Sequence, residues 1–272
     1  MNMLYKNFVL DNLKNAAKIA SDNFNKVKTV EKGTDNNQVL TQTDIEIGKL
    51  LVGEITKHFP EHNVIDEEAG VINKKSNFTW VVDPIDGTSN FANGVPMYGI
   101  MVGLLDKNTP IVGGVALPAF GEFYYAEKGR GTYCNDQQIK VTDESDLLKC
   151  LAVYALDGHQ ENPELTYQES KLLADIVLNI RNLRSSNSCF DIMMVASGKY
   201  GAWLNRTSKI WDNVAPQVII QEAGGVYTNF IGKSIDYSNP LGKSENNFTV
   251  CASAPLLHKR LQEIIQKHDF TD

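Results

Sequence analysis

A short apolar run that ends in two carboxylates constrains this chain more than any other feature. The run Trp80–Val82 leads directly into the segment Asp83–Thr88, with the sequence DPIDGT. We expect a buried strand that delivers Asp83 and Asp86 just past its end, with Pro84 stiffening the turn. The next helix should leave three amides free to bind an anion, those of Gly87, Thr88 and Ser89. Two carboxylates would repel an anion, so the pattern favours Mg²⁺ or a similar oxygen-binding cation between them.

Three further polar segments could reach the same cleft. The acidic triplet Asp66-Glu67-Glu68 follows the apolar pair Val64-Ile65, and Asp212 opens an apolar helix that ends before Gly224-Gly225. Asp44 lies at the start of another helix, where a buried carboxylate could orient a hydroxyl. Taken singly, each segment also fits a solvated surface or a helix cap, and so do the two aspartates of the first motif.

The hydrophobic periodicity predicts an α+β protein in two layered halves. A helical stripe runs from Leu4 to Val27, the polar stretch 31–38 is a loop, and a second helix covers 45–59. Strands are predicted at 78–82, 97–105, 111–117 and 122–126, and helices and strands alternate beyond about residue 145. We place one half at residues 1–140 and the other at 141–272. The absence of a Pro- or Gly-rich linker between them predicts a rigid interface.

Composition excludes several classes of function. With 26 Lys and Arg against 33 Asp and Glu, the formal net charge is −7. Binding to a nucleic-acid backbone relies mainly on Lys and Arg, so a nucleic-acid partner is disfavoured. There is no GxGxxG, GxxxxGK[ST] or GxSxG motif, which argues against Rossmann cofactors, P-loop nucleotide use and serine-hydrolase chemistry.

The termini, apolar runs and cysteines favour a cytoplasmic protein. The first twenty residues lack the apolar core of a signal peptide, and the four cysteines form no CxxC pair. No apolar stretch approaches the roughly 18 residues needed to cross a bilayer. We therefore expect no membrane contact.

In this order, the motifs resemble those of the inositol monophosphatase family of Mg²⁺-dependent, lithium-sensitive phosphatases. The segment Asp83–Phe91 is similar to the first signature of that family. Trp211–Ala215 together with Glu222–Gly225 is similar to the second. The resemblance covers nearly the whole chain. It implies a layered αβαβα sandwich, a homodimer and an active site between the two halves.

The resemblance also implies roles for individual residues. The ligands of two or three Mg²⁺ ions would be Glu67, Asp83, the carbonyl of Ile85, Asp86 and Asp212. Glu67 and Thr88 would position the attacking water, and Asp44 would orient the Thr88 hydroxyl. The phosphate and substrate contacts would be Asp86, Gly87, Thr88, Ser89, Ser186, Asn187, Ser188, Asn205 and Asp212. Lys32 would belong to a mobile loop over the site.

The activity implied is direct hydrolysis of a small phosphorylated metabolite by an activated water, most simply of inositol monophosphate. Asn205 takes the place of an acidic residue of the inositol-specific members. That difference leaves NADP 2'-phosphatase, dual-specificity, fructose-1,6-bisphosphatase and 3'-phosphoadenosine 5'-phosphatase activities as alternatives. A regulatory protein of the same fold that binds RNA or protein is the alternative from another class.

Overall fold

The computed structural model describes residues 4–26, 29–31 and 39–268. The first part of the chain contains α1 (Leu4–Asn23), β1 (Thr29–Glu31), β2 (Val39–Thr41), α2 (Gln42–His58), β3 (Asn63–Asp66), β4 (Gly70–Ile72), β5 (Phe78–Asp86), α3 (Thr88–Ala92), β6 (Gly99–Asp106), β7 (Thr109–Leu117), β8 (Glu122–Glu127), β9 (Thr132–Cys134) and β10 (Gln137–Ile139). The second part contains β11 (Leu151–Ala155), α4 (Pro163–Asn179), β12 (Asn182–Arg184), α5 (Cys189–Ala196), β13 (Ala202–Ser208), α6 (Ile210–Glu222), β14 (Val226–Thr228), β15 (Phe248–Ser253) and α7 (Pro255–Ile265).

Two mixed sheets organise these elements. The first has the strand order β10-β9-β8-β7-β6-β5-β3-β4, in which β3 and β5 run parallel and the other neighbours run antiparallel. The second has the order β12-β11-β13-β15-β14, in which β11 runs parallel to both of its neighbours. Strands β1 and β2 pair separately as an antiparallel ribbon.

Helices and sheets alternate in layers through the described part of the chain. Helices α1 and α2 pack on the outer face of the first sheet, and α4 and α7 pack on the outer face of the second. Helices α5 and α6 lie between the two sheets in a shared apolar core. This stacking confirms the predicted α+β class and the layered αβαβα sandwich.

Local sequence explains how α2 begins and ends. The Thr41 hydroxyl accepts hydrogen bonds from the amides of Thr43 and Asp44, and the Asp44 carboxylate accepts one from the Thr41 amide, which forms a capping box. Ile47, Leu51 and Ile55, spaced four residues apart, are buried against the first sheet. The helix ends at His58, two residues before Pro60, because proline disfavours helical geometry in the residue before it.

The strand before the first motif is longer than its apolar run predicts. β5 continues through both Asp83 and Asp86, so the prediction that these carboxylates lie past the end of the strand is wrong. The register with β6 shifts between Asp83 and Asp86, and Pro84 lies at this shift. Proline cannot donate a ladder hydrogen bond, and an irregular position tolerates it. The shift therefore makes room for the motif within a buried strand.

Two glycines allow α6 to lie directly on the first sheet. Gly103 of β6 pairs with Gly113 of β7. Gly103 lies under Val214 and Ala215 of α6, and Gly113 lies under Ala215. A Cβ on Gly103 would stand 2.7 Å from Val214 Cγ1 and 2.9 Å from the Ala215 nitrogen, closer than side chains approach. The close approach carries the start of α6, and with it Asp212, to the end of β5.

Within the described ranges, no helix combines the length and apolar character needed to cross a membrane.

Candidate active site

Three carboxylates from different parts of the chain converge between the sheets. Asp83 and Asp86 come from β5, and Asp212 comes from the first turn of α6. Each contributes an oxygen to a group in which all three oxygens lie within 4.8 Å of one another. Asp83 is buried, whereas Asp86 and Asp212 are partly exposed. The close approach of three carboxylates concentrates negative charge at this point.

Burial and mutual repulsion disfavour ionisation of the three groups. Burial raises the pKa of Asp86 to about 7 despite the amide of Cys189, which donates to its carboxylate, and burial with the charge of Asp86 raises the pKa of Asp212 to about 8. Burial, and then the charges of Glu67, Asp86 and Asp212, hold the pKa of Asp83 well above its usual range. A cation among these groups would reverse the penalty, because opposite charge favours the ionised form.

One oxygen of the Asp83 carboxylate is left unsatisfied within the described ranges. Its Oδ1 atom is buried and, among the described residues, finds no hydrogen-bond partner. A buried polar atom without a partner is costly unless a cation or water satisfies it. Hard cations such as Mg²⁺ take oxygen ligands. The donor set therefore fits a divalent cation.

Glu67 lies beside this group through the pairing of β3 with β5. The parallel register sets Asp66 opposite Val82, and the amide of Glu67 donates to the Val82 carbonyl at 3.2 Å. This places Glu67 next to Asp83, and its charge contributes to the raised pKa of both Asp83 and Asp86. Asp66 has a different place: its Oδ1 atom accepts from the amides of the turn, those of Glu68 and Ala69.

Thr88 and Asp44 form a second part of the site. The Thr88 hydroxyl lies 2.7 Å from the Ile85 carbonyl oxygen and 3.2 Å from Asp44 Oδ1. Burial raises the pKa of Asp44 to about 6, although its hydrogen bonds from Thr41 oppose the rise. Asp44 thus both caps α2 and contacts the Thr88 hydroxyl.

Gly87 connects the two halves of the site. It has a φ of +80° and precedes the short helix α3. A Cβ on Gly87 would stand 2.7 Å from the Ser188 Cβ and 3.1 Å from the Met97 carbonyl oxygen. The side chain of Asn90 donates to the carbonyls of Met97 and Ser186, both at 2.7 Å. Glycine is therefore required both for the turn and for the close approach of the segment 186–188.

A cavity of about 160 Å³ opens beside the carboxylates. Asp86 and Asp212 line it together with three of the predicted substrate residues, Asn187, Ser188 and Asn205. The Asn205 side-chain oxygen accepts from the Thr207 amide at 2.7 Å. The polar walls of the cavity suit a hydroxylated molecule.

Other predicted residues lie elsewhere. Ser186 is outside the lining of this cavity: its amide donates to Asp191 at 2.6 Å and its hydroxyl contacts that of Ser188. Ser89 is exposed in the first turn of α3. Lys32, and with it the proposed loop over the site, lies outside the described residues.

Sequence reasoning missed residues at this place. Asp157, from the segment after β11, lines the cavity, and Asn90 and Asp191 hold the segment 186–188. Asp157 had a usable signal, since it follows the apolar run 151–156 in the sequence as Asp83 follows the run 80–82. Asn90 stands inside the first motif, but nothing in its spacing indicates its partners, which come from Met97 and the second half of the chain.

This combination defines a class: a layered α+β protein in which converging carboxylates suited to a divalent cation lie beside a polar cavity between two sheets. The chain belongs to the inositol monophosphatase family, whose model matches residues 5–269. A fructose-1,6-bisphosphatase/inositol-1-monophosphatase of Aquifex aeolicus (strain VF5) is 32% identical over 254 residues, which cover 92% of this chain and 90% of that one.

Solved structures agree in fold. Thermotoga maritima IMPase superposes with a TM-score of 0.83 at 26% identity and covers 98% of each chain. An IMPase/NADP phosphatase complexed with Mg²⁺ and phosphate superposes with a TM-score of 0.81 at 21% identity, covering 96% of this chain and 95% of that one. At the identity of this second structure, the likeness shows the fold alone.

Proposed function

We propose that this chain is a Mg²⁺-dependent phosphatase of small phosphate monoesters, with inositol monophosphate as the first candidate substrate. The observation that supports this most is the convergence of Asp83, Asp86 and Asp212. Their raised pKa values and the unsatisfied oxygen of Asp83 show that ionisation of these carboxylates is unfavourable without a bound cation. Family membership supports a phosphatase, and the similar fold in complex with Mg²⁺ and phosphate supports this choice of cation.

The residues that would hold two or three ions are Glu67, Asp83, the carbonyl of Ile85, Asp86 and Asp212. A bound divalent cation supplies neutralising charge and lowers the pKa of water, which makes water a nucleophile near neutral pH. The carboxylates would hold the positive charge of the cation in a fixed place, so the site would need little reorganisation as the phosphoryl group is transferred.

Thr88 and Glu67 are proposed to position the attacking water. The Thr88 hydroxyl has a single proton, and its two near acceptors are the Ile85 carbonyl and Asp44. With this proton committed to either acceptor, the lone pairs of the oxygen accept a hydrogen bond from water. Glu67 provides a second acceptor beside Asp83. Asp44 acts through Thr88 and is therefore a positioning residue.

The phosphate and the leaving alcohol have separate places in this proposal. The amides of Gly87, Thr88 and Ser89, where the chain turns into α3, would donate to phosphate oxygens. The cavity walls at Ser188 and Asn205 would contact the alcohol. Burial and nearby carboxylates hold the pKa of the Cys189 thiol well above its usual range, so this thiol stays protonated and is a poor nucleophile. Direct attack by water fits these groups.

A larger substrate is the second candidate. The Aquifex aeolicus relative is named for both fructose 1,6-bisphosphate and inositol 1-phosphate, and one structural neighbour is named as an NADP phosphatase. Asn205 is an amide where the inositol-specific members have an acid, and this difference supports a broader choice of alcohol. Fructose 1,6-bisphosphate and NADP are therefore the substrates to compare with inositol 1-phosphate.

The test is phosphate release by the purified chain with Mg²⁺, with and without EDTA, from four esters: inositol 1-phosphate, fructose 1,6-bisphosphate, NADP and 3'-phosphoadenosine 5'-phosphate. We expect release that EDTA abolishes, with the highest kcat/KM on inositol 1-phosphate. Release that persists in EDTA would contradict the metal requirement. No release from folded protein saturated with Mg²⁺ would contradict the phosphatase activity and favour the regulatory alternative.

We also propose two halves at residues 1–140 and 141–272, a homodimer and a cytoplasmic location. The first sheet ends at Ile139 and the second begins at Leu151, which supports the division. The exposed apolar side chains of Tyr167 and Leu178 on α4 support a covering partner subunit. Light scattering would show a dimer mass if this is right and a monomer mass if it is not.

A further inference from the structure

Asp157 lines the cavity that opens beside the three converging carboxylates. It follows the end of β11 and lines the same space as Asp86 and Asp212. It is not one of the three groups whose oxygens lie within 4.8 Å of one another. Its charge still contributes to the raised pKa of Asp212, after burial and the charge of Asp86. Asp157 is therefore near the reacting centre without belonging to the acidic group.

Neighbouring side chains hold the Asp157 carboxylate in place. The Thr207 hydroxyl donates to its Oδ2 at 2.7 Å, and the Asn187 amide approaches its Oδ1 at 3.4 Å. Asn205 in turn fixes Thr207, because its side-chain oxygen accepts from the Thr207 amide. Asn205, Thr207 and Asn187 thus form a frame that orients a carboxylate at the wall of the cavity.

An oriented carboxylate in this position suits a hydroxylated ligand. An ionised carboxylate is only an acceptor and offers about four lone-pair positions. Thr207 and Asn187 account for one on each oxygen, so further donors can bind. Hydroxyl groups donate to a carboxylate in charge-assisted hydrogen bonds, which are stronger than neutral ones. A second anion at the same place would be repelled.

We propose that Asp157 is a specificity-determining residue that binds a hydroxyl next to the ester carbon of the substrate. The substrate class is then a polyol monophosphate with a free hydroxyl beside the phosphate ester. This inference rests on the proposed phosphatase function and adds to it the chemistry of the alcohol. Asp157 recognises the alcohol, whereas the three other aspartates serve the phosphate.

Two esters separate this role from a structural one. Inositol 1-phosphate has hydroxyls beside the ester, and cyclohexyl phosphate has the same ring size with none. For Asp157→Ala we expect kcat/KM for inositol 1-phosphate to fall about 10- to 100-fold, mainly through KM, as for loss of a hydrogen bond to a charged group. For cyclohexyl phosphate we expect a change of less than about threefold. Asp157→Asn, which keeps one acceptor oxygen, should fall between.

Two further variants guard against failure to fold and against a general charge effect. Thr207→Val removes the hydroxyl that orients Asp157 and should reproduce the selective loss in weaker form. Asp143→Asn removes an exposed carboxylate outside the cavity, paired with Lys140, and should change neither ester. Thermal melts of all variants show which are folded, and the comparison uses those.

The outcomes divide clearly. A loss confined to inositol 1-phosphate supports the proposal. Equal losses on both esters, or a change only in the Mg²⁺ concentration required, would overturn the role of Asp157 while leaving the phosphatase function in place. If the wild-type chain hydrolyses neither ester, the proposed function and this inference both fail.

Discussion

At the residue scale, the Thr88 hydroxyl contacts one group from a strand and one from another helix. The Ile85 carbonyl belongs to β5, Asp44 belongs to α2, and Thr88 itself opens α3. The Thr41 amide donates to Asp44 Oδ2, the other oxygen of the carboxylate that Thr88 contacts. The hydroxyl is thus fixed before any substrate binds, which is what positioning of a water molecule requires.

Removing that hydroxyl should lower turnover and spare metal binding. For Thr88→Ala we expect kcat to fall by about a hundredfold or more, as for loss of a group that assists proton transfer. KM and the Mg²⁺ concentration for half-maximal rate should change little. Thr88→Ser keeps the hydroxyl and serves as the matched control. A large rise in the Mg²⁺ requirement of Thr88→Ala would show instead that Thr88 is a metal ligand.

At the element scale, α6 joins the two halves at both of its ends. Its first turn carries Asp212, and its last residue, Glu222, accepts hydrogen bonds from three consecutive amides of the turn 129–131 after β8. Those bonds measure 2.7, 3.0 and 2.8 Å. The glycines of β6 and β7 bring the middle of the helix onto the sheet. The position of Asp212 therefore depends on contacts along the whole helix.

Filling the space under α6 should destabilise the protein. Gly103→Ala places a methyl group 2.7 Å from Val214 and should cost about 1–3 kcal/mol of the free energy of unfolding. Gly53 lies in α2, where an added Cβ would have no neighbour within 4 Å. Gly53→Ala should therefore stabilise the protein by up to about 1 kcal/mol, since alanine favours a helix. Urea unfolding measures both. Equal stability of the two variants would contradict the close contact of α6 with the sheet.

The three hydrogen bonds that Glu222 accepts, which form a clamp between α6 and the turn 129–131, give a separate test. Glu222→Gln removes the charge and one of the two acceptor oxygens. It should cost about 1 kcal/mol of stability, less than is usual for hydrogen bonds to a charged group because the site is partly exposed. Its thermal melt should fall by a few degrees. Glu161→Gln, at an exposed position in the turn before α4, is the control. An unchanged melt for Glu222→Gln would show that the clamp adds nothing to stability.

At the scale of the whole molecule, charge couples folding to metal and pH. Asp86 and Asp212, with pKa values raised to about 7 and about 8, hold protons more tightly when folded than unfolded. For carboxyls with raised pKa values, the free energy of unfolding falls as pH rises from the ordinary value of 3.8 through the folded values. Bound Mg²⁺ replaces those protons and offsets the loss.

The melting temperature should therefore respond to Mg²⁺ more strongly at high pH. We expect the difference in Tm between Mg²⁺ and EDTA to be small near pH 5 and to grow up to pH 8.5. Taking this difference cancels the contribution to Tm of histidines that titrate equally in both buffers. Thermal melts across that pH range measure it. A difference that stays constant, or shrinks as pH rises, would contradict proton release from this group on metal binding.

Much of this architecture follows from sequence patterns, and the rest depends on contacts between the halves. The apolar stripe of α2, the helix opened by Asp212 and the strand before Asp83 carry local signals, so these elements could be predicted, although β5 continues through Asp86. The strand β13 carries a weak signal because its residues 205–208 are polar, and short strands such as β9 have too few residues to show a period. Asp157 and Asn90 acquire their places only when the two sheets meet.

The most direct test of the central claim compares wild type with Asp83→Asn in Mg²⁺-dependent release of phosphate from inositol 1-phosphate. The substitution keeps the shape of a buried side chain and removes one charge from the converging group. We predict a fall in kcat/KM of at least about a hundredfold, or about 2.7 kcal/mol of barrier. The variant should also need more Mg²⁺ and should keep a cooperative thermal melt. Activity within about tenfold of wild type at the same Mg²⁺ concentration would contradict the claim that Asp83 lies at a catalytic metal centre.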